Sequence, residues 1–282
     1  MQIETCRSLA GAASLFETYV DRWRLTADGD PIVTPGSRLL PVRLQDGTPA
    51  MLKIALDEDE QAGNRLMAWW AGEGAAWVHA QEDHALLMER AMGTKSLMGM
   101  ALAGQHDEVS QIVCATLHKL HRPRAQPQPS LVSLDRWFAD LRKAAQQGGM
   151  FLRCLAQAEQ LLATPREPVV LHGDVHHDNV LDFAEGGWRV IDPKRVYGER
   201  TFDFANLICN PDLPSATDPG RFTRQVQVIA RAAQLEPRRL VQWVLAFSGL
   251  SAAWFLQDDH QPGAQHQLTL AALAAQAQEG GS

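Results

Sequence analysis

Three oxygen-bearing side chains fall close together in the stretch Leu171-His172-Gly173-Asp174-Val175-His176-His177-Asp178-Asn179-Val180-Leu181 and its continuation Val190-Ile191-Asp192. Asp174 follows the β-branched pair Val169-Val170. Asn179 lies five positions later, near enough to share one loop with it. Asp192 ends a hydrophobic strand, Trp188 to Ile191, that leaves a Glu185-Gly186-Gly187 turn. Transfer of a phosphoryl group from ATP to a hydroxyl needs few reactive groups. A carboxylate must orient the acceptor hydroxyl and take its proton, and oxygen ligands must hold the Mg²⁺ ions that bridge the phosphates. The pattern gives Asp174 the first task, and Asn179 and Asp192 the second. Asp and Asn are also ordinary turn residues. The full set, with its Gly, its His and an aliphatic strand running into Asp192, is much more specific than the spacing of two polar residues.

The histidines of the same stretch offer a competing chemistry. His172, His176 and His177 could be zinc ligands. No Cys lies beside them, and their spacing is not that of two ligands at i and i+4 with a Glu between. A loop His next to a catalytic Asp more often braces the loop by hydrogen bonding.

A phosphate donor also needs a cation. Lys53 sits in Ala50-Met51-Leu52-Lys53-Ile54-Ala55, amid apolar neighbours. Alternation places Met51, Lys53 and Ala55 on one strand face and Leu52 and Ile54 on the other. With Asp174, Asn179 and Asp192 downstream, Lys53 is expected to meet the α- and β-phosphates, held by a carboxylate of the next helix. Glu60 is the candidate, with Glu58 and Glu73 as alternatives. No G-x-G-x-x-G occurs between Pro31 and Arg43. Thr34-Pro35-Gly36-Ser37 stands there instead, a turn that can aim backbone amides and the Ser37 hydroxyl at phosphates.

These residues must be positioned by a chain of 282 residues, long enough for one large core or two lobes. An apolar share of 45% and a charged share of 21% are those of an ordinary globular protein. No apolar run long enough to span a bilayer and no secretory signal are evident, so a cytoplasmic protein is expected. Cys6, Cys114, Cys154 and Cys209 are scattered, which fits reduced thiols rather than a disulfide framework. A net charge of −7 without a basic run argues against nucleic-acid binding. The spacing predicts a helix over Cys6 to Arg24, and a short extended run over Pro31 to Val33. Strands are predicted over Leu39 to Leu44 and Pro49 to Ala55, joined at Asp46-Gly47, with a further strand over Leu86 to Met88. A helix over Asp59 to Trp70 falls between them. Beyond Gly93 the pattern is helical: Asp107–His121, Leu134–Gln147, Met150–Ala163, Arg221–Gln234, Pro237–Phe255 and Gln265–Gln278. The tail Gly280-Gly281-Ser282 is expected to be disordered. The chain is therefore expected to be α+β and bilobal: a sheet-rich nucleotide lobe over 1–90, a hinge near 89–93, and a helical lobe over 94–282 carrying the catalytic loop and acceptor site.

The motifs resemble the aminoglycoside phosphotransferases of the protein-kinase-like fold, and most nearly their streptomycin 6-phosphotransferase and hydroxyurea-resistance kinase branch. The residues carrying the resemblance are Asp46-Gly47-Thr48-Pro49-Ala50 leading to Lys53, Leu171-His172-Gly173-Asp174 through His177 and Asn179, Val190-Ile191-Asp192-Pro193, Gly198-Glu199, Ala205-Asn206, Pro237-Arg238-Arg239-Leu240 and Leu250-Ser251-Ala252-Ala253-Trp254. The resemblance implies MgATP as donor, an antibiotic hydroxyl as acceptor, Asp174 as the catalytic Asp, Asn179 and Asp192 at the metal, and Lys53 at the ATP phosphates. It also implies a hinge at Glu89, Arg90 and Ala91 that pairs with adenine through backbone groups.

Two departures concern the acceptor. Lys194 and Arg195 follow Asp192 directly, placing two cations at a mouth that should welcome a polycation, and Thr201-Phe202-Asp203-Phe204 replaces an expected run of small residues. A guanidinium-bearing sugar calls for carboxylates and amides, and Glu199, Asp203, Asn206, Asp258 and Asp259 are the candidates. Trp254 is expected in the core. A kinase for hydroxyurea, choline or homoserine, and a catalytically silent binding module, are the alternatives. Oligomeric state is left open.

Overall fold

The computed structural model describes residues 15–211 and 215–280. The first part of the helix expected over Cys6–Arg24, Cys6 itself and the end of the tail lie outside the described residues. Helix α1 covers residues 15–22. Strands β1 (Thr26–Ala27), β2 (Ile32–Val33), β3 (Ser37–Arg43) and β4 (Pro49–Ala55), helix α2 (Glu58–Trp70), and strands β5 (Val78–Glu82) and β6 (Ala85–Glu89) follow. The strands form one antiparallel sheet in the spatial order β1-β3-β4-β6-β5, with β2 beside β3. The β3–β4 turn has Gly47 at φ 84, and Asp46 accepts the Thr48 amide at 2.9 Å. Strand β5 was not foreseen. Its residues alternate between half-buried and exposed at the sheet edge, and Val-His-Ala-Gln-Glu carries no apolar run.

Alternation along β4 decides what each face meets. Leu52 and Ile54 join Val42, Leu87, Phe16 and Tyr19 in a core between the sheet and α1. Lys53 projects to the opposite side, where α2 crosses. Helix α2 starts sharply because Asp57 accepts the Glu60 amide at 2.9 Å, and Glu58, Asp59 and Glu60 fill its first turn, where negative charge suits the helix dipole. Leu66, Met67 and Trp70 on its inner face join the main core.

The remainder is mostly helical: α3 (Leu97–Leu102), α4 (His106–Leu120), β7 (Val132–Ser133), α5 (Leu134–Trp137), α6 (Ala139–Ala144), α7 (Gly149–Ala163), β8 (Pro168–Leu171), β9 (Val180–Asp182), β10 (Trp188–Val190), β11 (Val196–Glu199), α8 (Thr201–Ile208), α9 (Pro219–Ala233), α10 (Pro237–Gln257) and α11 (Gln261–Gly280). Gly280, expected in the disordered tail, ends α11. The one helix expected over Leu134–Gln147 is broken at Phe138, whose ring is fully buried and packs edge-on against Phe202. Helix α8 lay hidden because all eight of its residues are buried, so no polar stripe marks a helical period. Contrary to expectation, among the described residues one helix, α10, is long and apolar enough to cross a bilayer by length and composition. Its apolar surface packs against α7, α8 and α11, and most of the helix is buried in the protein.

One ion pair inside this helical core fixes where β11 ends. Glu199, 1% exposed, accepts from Arg239 Nη2 at 2.6 Å and Nε at 3.0 Å, from Trp243 Nε1 at 2.7 Å and from the Arg166 amide at 3.0 Å. Burial alone would raise its carboxyl; Arg239, Trp243 and the Arg166 amide outweigh that and hold it below the usual range. Glu199→Gln leaves Arg239 buried without a counter-charge, and is expected to cost about 3–5 kcal/mol in urea unfolding at neutral pH. Because the carboxyl is lowered by folding, its contribution is complete above the ordinary Glu value and fades as pH falls through the folded value. The gap between wild type and variant should therefore narrow in acid; a gap that widens would contradict the assignment.

Candidate active site

The loop after β8 is held by a carboxylate from α8. Asp203, 1% exposed, accepts the amides of His172 at 2.9 Å and Gly173 at 2.8 Å, and meets His121 Nε2 at 2.8 Å. Gly173 adopts φ 83, and a Cβ there would come within 2.9 Å of the Lys194 carbonyl, so only glycine lets the two loops approach. His172 is fully buried. Its Nδ1 accepts the Asp174 amide at 3.2 Å and its Nε2 donates to the Ile191 carbonyl at 2.8 Å. Burial keeps the imidazole neutral by pushing its pKa down. Both nitrogens are therefore engaged in bracing the loop. Among the described residues no group of three or more His, Cys, Asp or Glu is set to hold a metal, and the three histidines do not make a zinc site.

Asp174 is positioned by two amides. Asn206, one turn beyond Asp203 on α8, donates to Asp174 Oδ1 at 3.1 Å. Asn179 Nδ2 donates to the Asp174 carbonyl at 2.9 Å, which leaves the Asn179 amide oxygen available for a cation. The Ile191 amide donates to the Asn179 carbonyl at 3.0 Å, tying the β9–β10 hairpin to this loop and fixing Asp192 next to it.

Opposite stands a cluster of charges drawn from three elements. Lys53 Nζ, with a side chain 6% exposed, lies 2.5 Å from Glu60 Oε2 and 2.5 Å from Asp192 Oδ1. Of the carboxylates considered for it, Glu60 is the one that reaches it. Glu58 is exposed, and Glu73 pairs with Arg124 at 3.5 Å. Lys194 Nζ closes the cluster, 3.2 Å from Glu60 Oε1 and 3.5 Å from Asp192 Oδ2. Helix α2 can lie against the Asp192–Lys194 segment because position 63 is glycine; a Cβ there would stand 2.7 Å from the Pro193 carbonyl. Burial would raise the Asp192 carboxyl, but Lys53 and Lys194 overcome it and hold the pKa at about 2. Burial also works against the Lys194 ammonium, and Asp192, Glu60 and Asp174 outweigh it, raising its pKa. An ionised carboxylate and an amide oxygen are hard donors, the kind a Mg²⁺ ion takes when phosphates complete its shell.

Two cavities meet at these residues. One, about 400 Å³, is lined by Thr34, Ser37, Lys53, Met88, Asn179 and Asp192 among others. Ser37 is buried in the turn, its amide donating to Thr34 Oγ1 at 3.0 Å. The other, about 820 Å³, has Asp174 in its wall with Arg136, Trp137, Asp140, Arg195 and Trp254. Trp137 and Trp254 meet edge to face at 5.7 Å. Trp254, expected in the core, packs half-buried against it and also lines this cavity. Asp140 and Trp137 gave no signal in sequence, since they lie in a short broken helix far along the chain from the catalytic loop.

Several expected residues stand elsewhere. Glu199 and Asp203 are buried structural carboxylates and face no acceptor. Asn206 is buried against Asp174 rather than offered to a ligand. Asp258 and Asp259 are exposed at the end of α10 and are not among the residues lining either cavity. The side chains of Glu89 and Arg90 are committed: Glu89 Oε1 accepts the Trp77 amide at 2.6 Å and pairs with Arg189, and Arg90 pairs with Asp28. Neither these two nor Ala91 lines the smaller cavity, whose wall ends at Met88. Any part they play toward a nucleotide falls to their backbone. Arg195 pairs with Asp59 at 2.6 Å.

Asp203 makes the loop geometry testable. Asp203→Ala strips two buried amides of their acceptor and is expected to cost about 3–5 kcal/mol. Urea unfolding measures the loss, and amide exchange at His172 and Gly173 should quicken. Exchange unchanged from wild type would show that the loop is held by other means.

The family described as aminoglycoside/hydroxyurea antibiotic resistance kinase matches residues 22–259. A streptomycin 3''-kinase of Klebsiella pneumoniae is 48% identical over 85% of this chain and 91% of its own. A streptomycin 6-kinase of Streptomyces griseus is 27% identical over 95% and 90%. Among solved structures, a thermostable aminoglycoside phosphotransferase in ternary complex with ADP and hygromycin B shares the fold with a TM-score of 0.65 at 15% identity, over 93% of this chain and 98% of that one. A choline/ethanolamine kinase family protein of Mesorhizobium loti does so with a TM-score of 0.67 at 16% identity, over 94% and 93%. With a match across most of its length and the charged cluster and loop in place, this chain belongs to the aminoglycoside/hydroxyurea antibiotic resistance kinases.

Proposed function

We propose that the protein transfers the γ-phosphoryl group of ATP to a hydroxyl of streptomycin, inactivating the antibiotic. The observation that carries this is the position of Asp174 in the wall of a cavity large enough for a drug-sized molecule, beside a second cavity floored by Lys53, Asn179 and Asp192. The likeness to streptomycin kinases of both regiochemistries supports the acceptor. A hydroxyurea phosphotransferase of Kitasatospora aureofaciens is also similar, at 25% identity, but hydroxyurea would leave most of about 820 Å³ unfilled. In this proposal residues 89–93 are the hinge between a nucleotide lobe, 1–90, and an acceptor lobe, 94–282. The setting is cytoplasmic, where ATP is made.

Lys53 meets the donor phosphates, and Glu60 holds its ammonium in place. Ser37 lines the same cavity, its hydroxyl 2.9 Å from that of Thr34. Asn179 and Asp192 would hold Mg²⁺, which when bound shields phosphate charge. Asp174, fixed by Asn206, accepts a hydrogen bond from the acceptor hydroxyl and takes its proton as the oxygen attacks. The two cations beside Asp192 do not repel a polycationic acceptor, because Lys194 is matched by Glu60 and Asp192, and Arg195 by Asp59. The Trp137–Trp254 corner offers indole faces to guanidinium groups. Asp140, paired with Lys143 at 2.8 Å, adds a carboxylate.

Purified protein incubated with Mg²⁺, γ-labelled ATP and a panel of streptomycin, other aminoglycosides, hydroxyurea, choline and homoserine should label streptomycin. Product analysis then assigns the oxygen. Label on another acceptor alone would keep the chemistry and discard the antibiotic. Asp174→Asn should lower kcat about 10²–10⁴-fold with the KM for ATP little changed. Trp254→Ala should raise the KM for streptomycin about tenfold, the effect of losing roughly 1–2 kcal/mol of cation–π and apolar contact, and leave the KM for ATP alone. Equal changes in both would show that the ring supports the fold rather than the acceptor.

A further inference from the structure

Among the described residues, Lys194 is the single one that lines both cavities. It therefore stands at the boundary that a phosphoryl group must cross on its way from donor to acceptor. Its backbone is immobilised: the amide donates to the His172 carbonyl at 2.7 Å, and the carbonyl receives the Val196 amide. Gly63 and Gly173 close on this segment from either side, near the Pro193 and Lys194 carbonyls. The side chain is less confined. It is 30% exposed, against 6% for Lys53, and at 3.2 and 3.5 Å from Glu60 and Asp192 its contacts are longer than those of Lys53, both 2.5 Å. Two ammonium groups thus share two carboxylates, one pinned between them and one held loosely toward the acceptor side.

We propose that Lys194 is a catalytic residue whose ammonium contacts the γ-phosphoryl group in transit, leaving Glu60 and Asp192 to follow the transferring oxygens. This rests on the phosphotransfer proposed above. In the step, the bond from γ-phosphorus to the β,γ-bridging oxygen breaks and ADP leaves with that electron pair. The acceptor oxygen bonds to phosphorus, and its proton passes to Asp174. Lys194 neither gives nor takes a proton. Its charge offsets negative charge on the oxygens of the moving group, so it acts on the transition state more than on bound nucleotide. Lys53, on the donor side, is left to bind the phosphates that remain on ADP. Arg195, the neighbouring cation, lines only the acceptor cavity and is paired with Asp59.

The test separates binding from transfer. In Lys194→Met and Lys194→Gln, the affinity for MgADP, read by calorimetry, should stay within about threefold of wild type, while kcat with streptomycin falls about 10²–10³-fold. The affinity for MgADP with tetrafluoroaluminate, a mimic of the phosphoryl group in flight, should fall with kcat. Lys194→Arg should recover part of both. If MgADP and MgADP–tetrafluoroaluminate weaken equally, Lys194 only positions Glu60, Asp192 and Lys53, and the proposal fails. It fails too if kcat holds within about threefold. A wild type that labels no streptomycin would overturn the acceptor assignment, and the comparison of the two nucleotide complexes would still decide the role of Lys194. Melting by circular dichroism confirms that the variants compared are folded. A Met variant that does not fold leaves the Gln variant to decide.

Discussion

A lysine ammonium placed on the inner face of a sheet is the constraint around which this protein is arranged. Lys53 is 5% exposed, and removing its charge from water costs several kcal/mol unless carboxylates surround it. No residue of its own strand can supply them. One comes from the first turn of α2, as Glu60, and one from the end of the β9–β10 hairpin, as Asp192. Meeting that requirement pulls the sheet, the helix and the hairpin to a single point. The ammonium is thereby held desolvated and fixed in direction by two carboxylates from other elements.

The second dependency runs through Asp203. Its two oxygens take up the amides of His172 and Gly173, and one turn later Asn206 takes up Asp174. Helix α8 thus sets both the shape of the loop and the aim of the carboxylate that the loop carries. His172 links this assembly to the first one, since its ring joins the Asp174 amide to the Ile191 carbonyl, the residue before Asp192. The loop of Asp174 and the strand end before Asp192 are therefore linked through a fully buried neutral imidazole, whose ring lies parallel to that of Trp70 of α2 with centroids 6.4 Å apart.

That Lys53, Asn179 and Asp192 come together was legible in the sequence because most of their spacing is local. Asp174 and Asn179 share one loop, Asp192 ends the adjoining hairpin, and a lysine inside an apolar strand is conspicuous. Even the partner of Lys53 could be narrowed to three glutamates, and only the helix register was needed to select Glu60. The lining of the larger cavity was not legible. Glu199, Asp203 and Asn206 attracted attention as polar residues near the loop, yet they turned inward because β11 and α8 lie under it. Nothing in their spacing distinguishes a buried brace from an exposed ligand. The cavity wall is assembled instead from Trp137, Asp140 and Trp254, residues of three helices remote from the loop in sequence. Short helices without a clear period, such as α5, α6 and α8, were misjudged for the same reason: their placement is dictated by tertiary packing around Phe138 and Phe202 rather than by local pattern.

This division has a physical origin. Lys53, Glu60 and Asp192 sit on elements tied to one another by buried charge, so a change at any of them propagates into folding. The acceptor wall is made of half-buried side chains at the ends of helices whose packing is secured elsewhere, by the Glu199–Arg239 pair and the aromatic cluster of Phe138, Phe202 and Trp243. Such a wall can be altered without disturbing the phosphate side. Only at Lys194 do the two requirements fall on one side chain, whose backbone belongs to the rigid loop and whose ammonium reaches the seam. A family that keeps one donor chemistry while its acceptors range from aminoglycosides to hydroxyurea is what this separation permits.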